Sequence, residues 1–290
     1  MGKSTNYIAK VPDDNGFIGY SDAENEVWRD LYAQQIPNIN KHAANAYLEG
    51  LDLLSMAQSR IPQCNEISEH LRPLTGWTVA PVPALIGFQR FFTMLAEQTF
   101  PAASFIRSRA DFDYIEEPDI FHEIFGHTPL LTDPGFAHFS QRIGQIGCEV
   151  GPADYSWLIR LYWFTIEFGL IRQNGEYKAL GSGLTSSPTE LVYSVRGAPG
   201  SCFSSGSSSS SSSGSGPDTE CIGAIPERRE FNVIDILRTP YRIDIHQPIY
   251  YVINNIDDLF QAADRDLHTD IKQAQSLGLF EPSYPCKLTG

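Results

Sequence analysis

The sequence predicts a single, mostly helical α+β domain with small β-hairpin elements. Three observations carry that expectation. Apolar positions recur at helical spacing through "EVWRDLYAQQI" and "AANAYLEGLDLLSMA". An Asn-Gly pair in "IRQNGEYKAL" separates two short runs, the signature of a type I′ hairpin turn. Hydrophobic residues make up 42% and aromatic residues 12% of the 290, enough to bury a large core and unlike a disordered chain.

From Ala23 to about Arg60 the spacing predicts helices. Near "PQCNEISEHLRPLTG" the helical pattern shortens, and Pro73 and Gly76 mark a loop. "WTVAPVPALIG" is apolar and broken by prolines, which predicts an extended or irregular segment. "FQRFFTMLAEQTF" is a short amphipathic helix that stops before Pro101. Residues 117–128 form another helix, opening at Pro118-Asp119, where Pro suits a first turn. "DYSWLIRLYWFTIEFGLI" is long and largely apolar, with one acid in its second half, Glu167. In "SSPTELVYSV", Ser187 is the expected N-cap, Pro188 the first helical residue and Glu190 the partner in a capping box. Residues 197–224 are a Gly/Ser-rich tract, expected to be a flexible insertion within the one domain. Beyond it, "YRIDIHQPIYYVI" is strand-like and "IDDLFQAADRDLHTDI" is a final amphipathic helix.

Charge and cysteine usage narrow the function classes. A net charge of −14 without basic runs argues against a nucleic-acid partner, which needs clustered Lys and Arg. No apolar run is long enough to span a membrane, and "MGKSTNYIAKVPDDNG" lacks the apolar core of a secretory signal. The five cysteines include no C-x-x-C pair, so a reducing cytoplasm is the expected compartment. That compartment also argues against pairing of Cys202 with Cys221.

"DIFHEIFGHTPLL" holds the first candidate site. His122 and His127 bracket Glu123 in an H-E-x-x-x-H pattern, one residue longer than the zinc-protease signature. On an α-helix, at about 100° per residue, histidines five apart lie roughly 140° apart and do not reach one ion. Gly126 and the Thr128-Pro129 pair offer a way out. His122 then projects from the last regular turn and His127 from the turn that leaves it. Two histidines with a distant carboxylate also describe the facial triad of non-haem iron(II) oxygenases. Glu167 is the candidate carboxylate, since an unpaired acid buried among apolar residues is costly and ligation removes that cost. On spacing alone a zinc hydrolase, an iron oxygenase and a metal-free pair of surface or capping histidines all remain open.

"EEPDIFHEIFGHTPLL", "FAHFSQRIG", "YWFTIEFGLI", "GSGLTSSPTEL" and "QPIYYV" together resemble the catalytic domain of the pterin-dependent aromatic amino acid hydroxylases. The similarity runs from about residue 75 to 260 outside the Ser-rich tract, and is closest to the short bacterial branch that acts on phenylalanine. It implies that His122, His127 and Glu167 hold Fe(II). It implies that a tetrahydropterin (tetrahydrobiopterin or a relative) and O2 supply the oxidant that converts L-phenylalanine to L-tyrosine. It also implies a catalytic core acting as a monomer. Tyrosine or tryptophan hydroxylation within the family, a zinc metallohydrolase and a non-catalytic binding protein are the rival readings.

The same resemblance carries over further residues singly. Arg107 stands where the family grips the substrate carboxylate, and a guanidinium suits that group because it offers two parallel hydrogen bonds. Ser186 and Glu190 match residues that support that carboxylate and Arg107. Pro118 and Trp163 match walls of the ring pocket. Phe91 matches the aromatic that stacks on the pterin, Glu123 a carboxylate that meets it through water, and Tyr162 a neighbour of the cofactor. Ile115 and Pro101 depart from the Thr and His that relatives carry. Trp163 in place of a smaller Phe disfavours tryptophan, and Ile243 in place of an Asp offers a phenol oxygen no partner. That predicts a preference for phenylalanine over tyrosine of roughly ten- to a hundredfold.

Overall fold

The computed structural model describes residues 7–83, 86–113, 115, 117–196 and 225–284. The Ser-rich tract at 197–224, with Cys202 and Cys221, lies outside the described residues. Helix α1 (Asp22–His42) opens with a reciprocal capping box, in which Ser21 and Glu24 each accept the other's backbone N–H. It buries Val27, Trp28, Leu31, Tyr32 and Ile39 on one face. Helices α2 (Asn45–Leu53) and α3 (Cys64–Thr75) follow. α3 runs through Pro73, contrary to the expected loop there. A proline in the last turn forfeits only one intrahelical bond, and Gly76, at φ 80°, provides the left-handed cap.

Strands β1 (Thr78–Val82) and β2 (Thr99–Ala103) form a two-stranded parallel ladder, with α4 (Phe88–Ala96) as the crossover. Thr99 and Phe100 therefore belong to a strand, not to the end of the preceding helix. Helix α5 (Pro134–Glu149) was not anticipated, although its signal is legible: Asp133 caps it and Pro134 takes the first position. Helix α6 (Tyr155–Tyr162) leads to the hairpin of β3 (Leu170–Gln173) and β4 (Glu176–Ala179). Asn174 and Gly175 both take positive φ, 53° and 79°, as a type I′ turn requires. β6 (Ile249–Ile253) pairs in parallel with β3, and β5 (Glu227–Glu230) in parallel with β6, giving the order β4-β3-β6-β5. Every residue of β6 is buried, as a central strand covered on both faces should be.

Three short helices lie between the strands of this sheet in chain order: α7 (Ser182–Thr185), α8 (Pro188–Val195) and α9 (Val233–Arg238). The strand-like reading of residues 241–253 holds only for β6; 241–248 is irregular. The final helix is two helices, α10 (Asp257–Ala263) and α11 (Leu267–Leu277). They separate because Asp266 accepts the backbone N–H of Thr269 and so starts a new helix. Cys64 and Cys148 are free thiols. Among the described residues no helix is long and apolar enough to cross a membrane.

Candidate metal centre and substrate cavity

The H-E-x-x-x-H spacing is accommodated by a π-helix, Phe121–His127, not by a helix end. Hydrogen bonding from i to i+5 stacks residues five apart on one face, so one extra residue per turn brings His122 and His127 together. The stretch also starts later than expected, after Asp119, whose side chain accepts the His122 N–H at 3.1 Å. Phe121 and Phe125 stack at 4.7 Å on the core side. There Trp28 and Tyr32 of α1 meet them edge-on at 5.3 and 5.2 Å, and the Tyr47 hydroxyl donates to the Phe125 carbonyl. This aromatic packing turns the opposite face, with both histidines, toward a cavity. A second π-turn, Trp163–Glu167, continues α6 and carries the carboxylate, with Phe168 N–H donating to the Trp163 carbonyl at 2.8 Å.

The three side chains converge. His122 Nε2 and His127 Nε2 lie 3.1 Å apart, with Glu167 Oε1 3.2 Å from His127 Nε2 and Oε2 3.6 Å from His122 Nε2. Ser186 Oγ donates to the Ser182 carbonyl at 2.7 Å, so its contact with His122 Nδ1 at 2.8 Å must be accepted from the imidazole. That fixes the Nδ1–H tautomer and leaves the Nε2 lone pair facing the centre. Ser182 Oγ in turn donates to Glu167 Oε2 at 2.9 Å. The approach of α7 depends on Gly126, where a Cβ would lie 3.0 Å from the Ser182 carbonyl oxygen and 3.4 Å from Ser186 Cβ.

Glu123 is a competing carboxylate, since it, His122 and His127 offer donor atoms within 4.8 Å of one another. Two observations favour Glu167. It is nearer, with Glu123 3.9 Å from His127 Nε2. The electrostatics also part the two acids. Burial raises Glu167, but the adjacent His127 and His122 and the Ser182 hydroxyl outweigh it and bring it down to about 2. Burial, reinforced by the charges of Glu167 and Asp119, holds Glu123 well above the usual carboxylate range. Burial likewise lowers His122 to about 4, toward the neutral imidazole that a metal needs. The donor set of two imidazoles and one ionised carboxylate suits Zn²⁺ or a non-haem Fe²⁺ centre.

All twelve residues expected at the site line one cavity of about 480 Å³: the three above with Phe91, Arg107, Pro118, Glu123, Tyr162, Trp163, Ser186, Glu190 and Ile243. Pro101 and Ile115 line it too. Phe91 and Tyr162 meet edge-to-face at 5.3 Å. The Trp163 ring is held between Tyr241 at 4.4 Å and Phe168 at 4.5 Å. Ile243, expected near the substrate ring, lines the cavity at an exposed position, 57% accessible.

Arg107 differs most from its expected surroundings. Neither Ser186 nor Glu190 is its partner. Asp119, fully buried, accepts from Arg107 Nε at 2.8 Å and Nη2 at 2.9 Å. Nη1 is not used by Asp119. Among the described residues, Arg107 is the only Lys or Arg lining the cavity. Asp119, Ser182 and Gln247 escaped the sequence reading; only Asp119, preceding a helix, gave a capping signal.

Glu190 does not complete a capping box either. Its N–H donates to Ser187 Oγ, but its Oε1 accepts from the Gln247 N–H at 2.8 Å and the Tyr250 hydroxyl at 2.9 Å. Burial pushes it from 4.5 up to about 7, against the lowering effect of those two bonds. A raised folded pKa means that the folded state binds the extra proton. The stability is complete below pH 4.5 and is lost as pH rises through about 7, by on the order of 3 kcal/mol. Glu190→Gln, which keeps the acceptor, is expected to flatten the fall in Tm between pH 5 and about 8. An unchanged slope in thermal melts would remove Glu190 as its source.

A family model described as biopterin-dependent aromatic amino acid hydroxylase matches residues 4–279. The chain is 43% identical over 285 residues to phenylalanine-4-hydroxylase of Pseudomonas aeruginosa, covering 98% of each. It is similar to the apo structure of the cold-active phenylalanine hydroxylase from Colwellia psychrerythraea 34H. That match has a TM-score of 0.86 at 42% identity and covers 98% of this chain and 100% of the other. Phenylalanine hydroxylase of Chromobacterium violaceum, solved with bound oxidised Fe(III), aligns with a TM-score of 0.80 at 31% identity over 96% and 92% of the two chains.

Proposed function

Because the chain belongs to the biopterin-dependent aromatic amino acid hydroxylase family, we propose that the cavity hydroxylates L-phenylalanine to L-tyrosine with O2. The observation that carries this reading is the meeting, in one cavity, of a carboxylate and two imidazoles with an aromatic slot and a buried guanidinium. His122, His127 and Glu167 would hold Fe(II), and the metal with a tetrahydropterin supplies the oxygen-activating chemistry. The donor set fits: both histidines present Nε2, and Ser186 sets the tautomer of the first.

The remaining residues position and protect. Arg107 binds the substrate carboxylate through the nitrogen that Asp119 leaves, while Asp119 keeps the fork in place. Trp163 and Pro118 flank the substrate ring and orient it toward the three donors. Phe91 and Tyr162 offer the pterin an apolar wall. Glu123, whose pKa is raised by burial and by the charges of Glu167 and Asp119, is placed to meet the pterin directly or through a bridging water. Phe100 packs on His127 at 4.6 Å and helps keep water from the centre.

The test is an assay of phenylalanine with tetrahydrobiopterin and added iron(II). Tyrosine formation that requires both is expected, and zinc-supported hydrolysis without pterin would overturn the reading. In competition, phenylalanine should be preferred to tyrosine by about tenfold in kcat/KM. This is the lower end of the sequence-based range, because the exposed rim position of Ile243 lets water relieve part of the cost of an unpaired phenol. Faster turnover of tyrosine would transfer the assignment to another branch of the family and leave the metal chemistry intact.

A further inference from the structure

We propose that Gln247 is the positioning residue of the substrate-ring pocket, acting through Trp163 and the segment that carries Ile243. The inference rests on the reading of this cavity as an aromatic amino acid site. Gln247 is 1% exposed and lies just before β6, behind the cavity wall. Its Oε1 accepts from Trp163 Nε1–H at 3.1 Å. Its Nε2 donates to the carbonyls of Arg242 at 2.8 Å and Ile245 at 3.0 Å. Its backbone N–H donates to Glu190 Oε1 at 2.8 Å.

One primary amide, 84 residues from Trp163 in sequence, therefore joins two walls. One wall is the indole on the second π-turn. The other is the irregular 241–246 segment, which contributes both Tyr241, stacked on that indole, and Ile243 at the rim. The chemistry requires an acceptor and two donors from a single planar group, which a carboxamide supplies. A carboxylate would turn an acceptor toward two carbonyls. An apolar side chain would leave those carbonyls and the indole N–H unpaired in the interior, which is costly. Glu190 anchors the backbone of the same residue, so the amide cannot shift without breaking a second buried bond. The depth and width of the ring slot then follow from where Gln247 holds Trp163 against the rim segment.

The experiment uses the full-length, iron-loaded enzyme with tetrahydrobiopterin and compares wild type, Gln247→Met, Trp163→Phe and the double variant on phenylalanine and tryptophan. Gln247→Met is expected to raise the phenylalanine KM about tenfold, change kcat less than about threefold and leave bound iron unaltered. Its preference for phenylalanine over tryptophan should fall about tenfold, and the double variant should lose little more preference than Trp163→Phe alone. A folded Gln247→Met enzyme with wild-type KM and preference, or losses that simply add, overturns the proposal. A second measurement covers a variant that does not fold. The Trp163 indole N–H signal in ¹⁵N-labelled wild type, identified by its disappearance in Trp163→Phe, should be protected from solvent exchange. Rapid exchange also overturns the proposal. Absence of phenylalanine turnover in wild type would instead count against the functional reading, and the exchange measurement would still decide the contact.

Discussion

Glu167→Gln is expected to lose most bound iron(II) and more than about a hundredfold of phenylalanine turnover while the fold survives. Removing a residue that only orients a ligand costs about 10–100-fold in metal affinity, so removing an anionic ligand should cost more. Glutamine keeps the shape and still accepts from Ser182 Oγ, so the local hydrogen bonding of the π-turn is retained. What it lacks is the negative charge, which would partly neutralise a bound cation. Glu123→Gln is the control. Burial and the nearby carboxylates raise that group's pKa, and it lies farther from His127 than Glu167 does, so its amide should change metal content little and act on the pterin side instead. Iron per chain, product formed and a thermal melt should be measured on both. Full iron occupancy with normal turnover in Glu167→Gln would remove Glu167 from the centre. Iron loss in Glu123→Gln alone would make Glu123 the third ligand.

Asp119→Asn is expected to be the most destabilising of the conservative changes at this site. The pair it forms with Arg107 is almost completely shielded, with side-chain exposures of 6% for Arg107 and 0% for Asp119. Breaking a buried pair by removing one partner costs about 3–5 kcal/mol, because the remaining charge is left uncompensated. For a domain of this size that corresponds to a fall in Tm of roughly 10 °C. The effect should extend to binding. Asp119 also accepts the backbone N–H of Arg107 at 2.9 Å and that of His122 at 3.1 Å, so one carboxylate ties Arg107 to the start of the histidine-bearing π-helix. The phenylalanine KM should rise at least about tenfold. A Tm within about 2 °C of wild type together with an unchanged KM would show that Asp119 neither stabilises nor positions Arg107.

The parts of this protein legible from its sequence are those whose physics is local. Ser187 before Pro188 marks a helix start and Asn174-Gly175 marks a hairpin, because a cap or a left-handed residue acts within a few positions of itself. The residue types of the candidate metal centre were legible for the same reason: two histidines close together and one acid stranded in an apolar run. Matching motifs then extended the reading to twelve residues, all of which line the cavity.

Tertiary structure decided how those residues are held. The extra residue between His122 and His127 is neutral on paper. It becomes a π-helix because Phe121 and Phe125 must both face the aromatic side chains of α1 and α2 while the histidines face the cavity. The partners of Arg107, His122 and Glu190 were likewise beyond sequence pattern. Ser186 stands 64 residues from His122, and Tyr250 stands 60 from Glu190. A buried polar group takes whichever complementary group the packing brings within about 3 Å, since leaving it unpaired costs more than any local preference contributes. Periodicity and capping report the preferences of one segment. Which acid neutralises Arg107, and which serine sets the tautomer of His122, is settled only when distant segments close on each other and every buried donor and acceptor has to be matched.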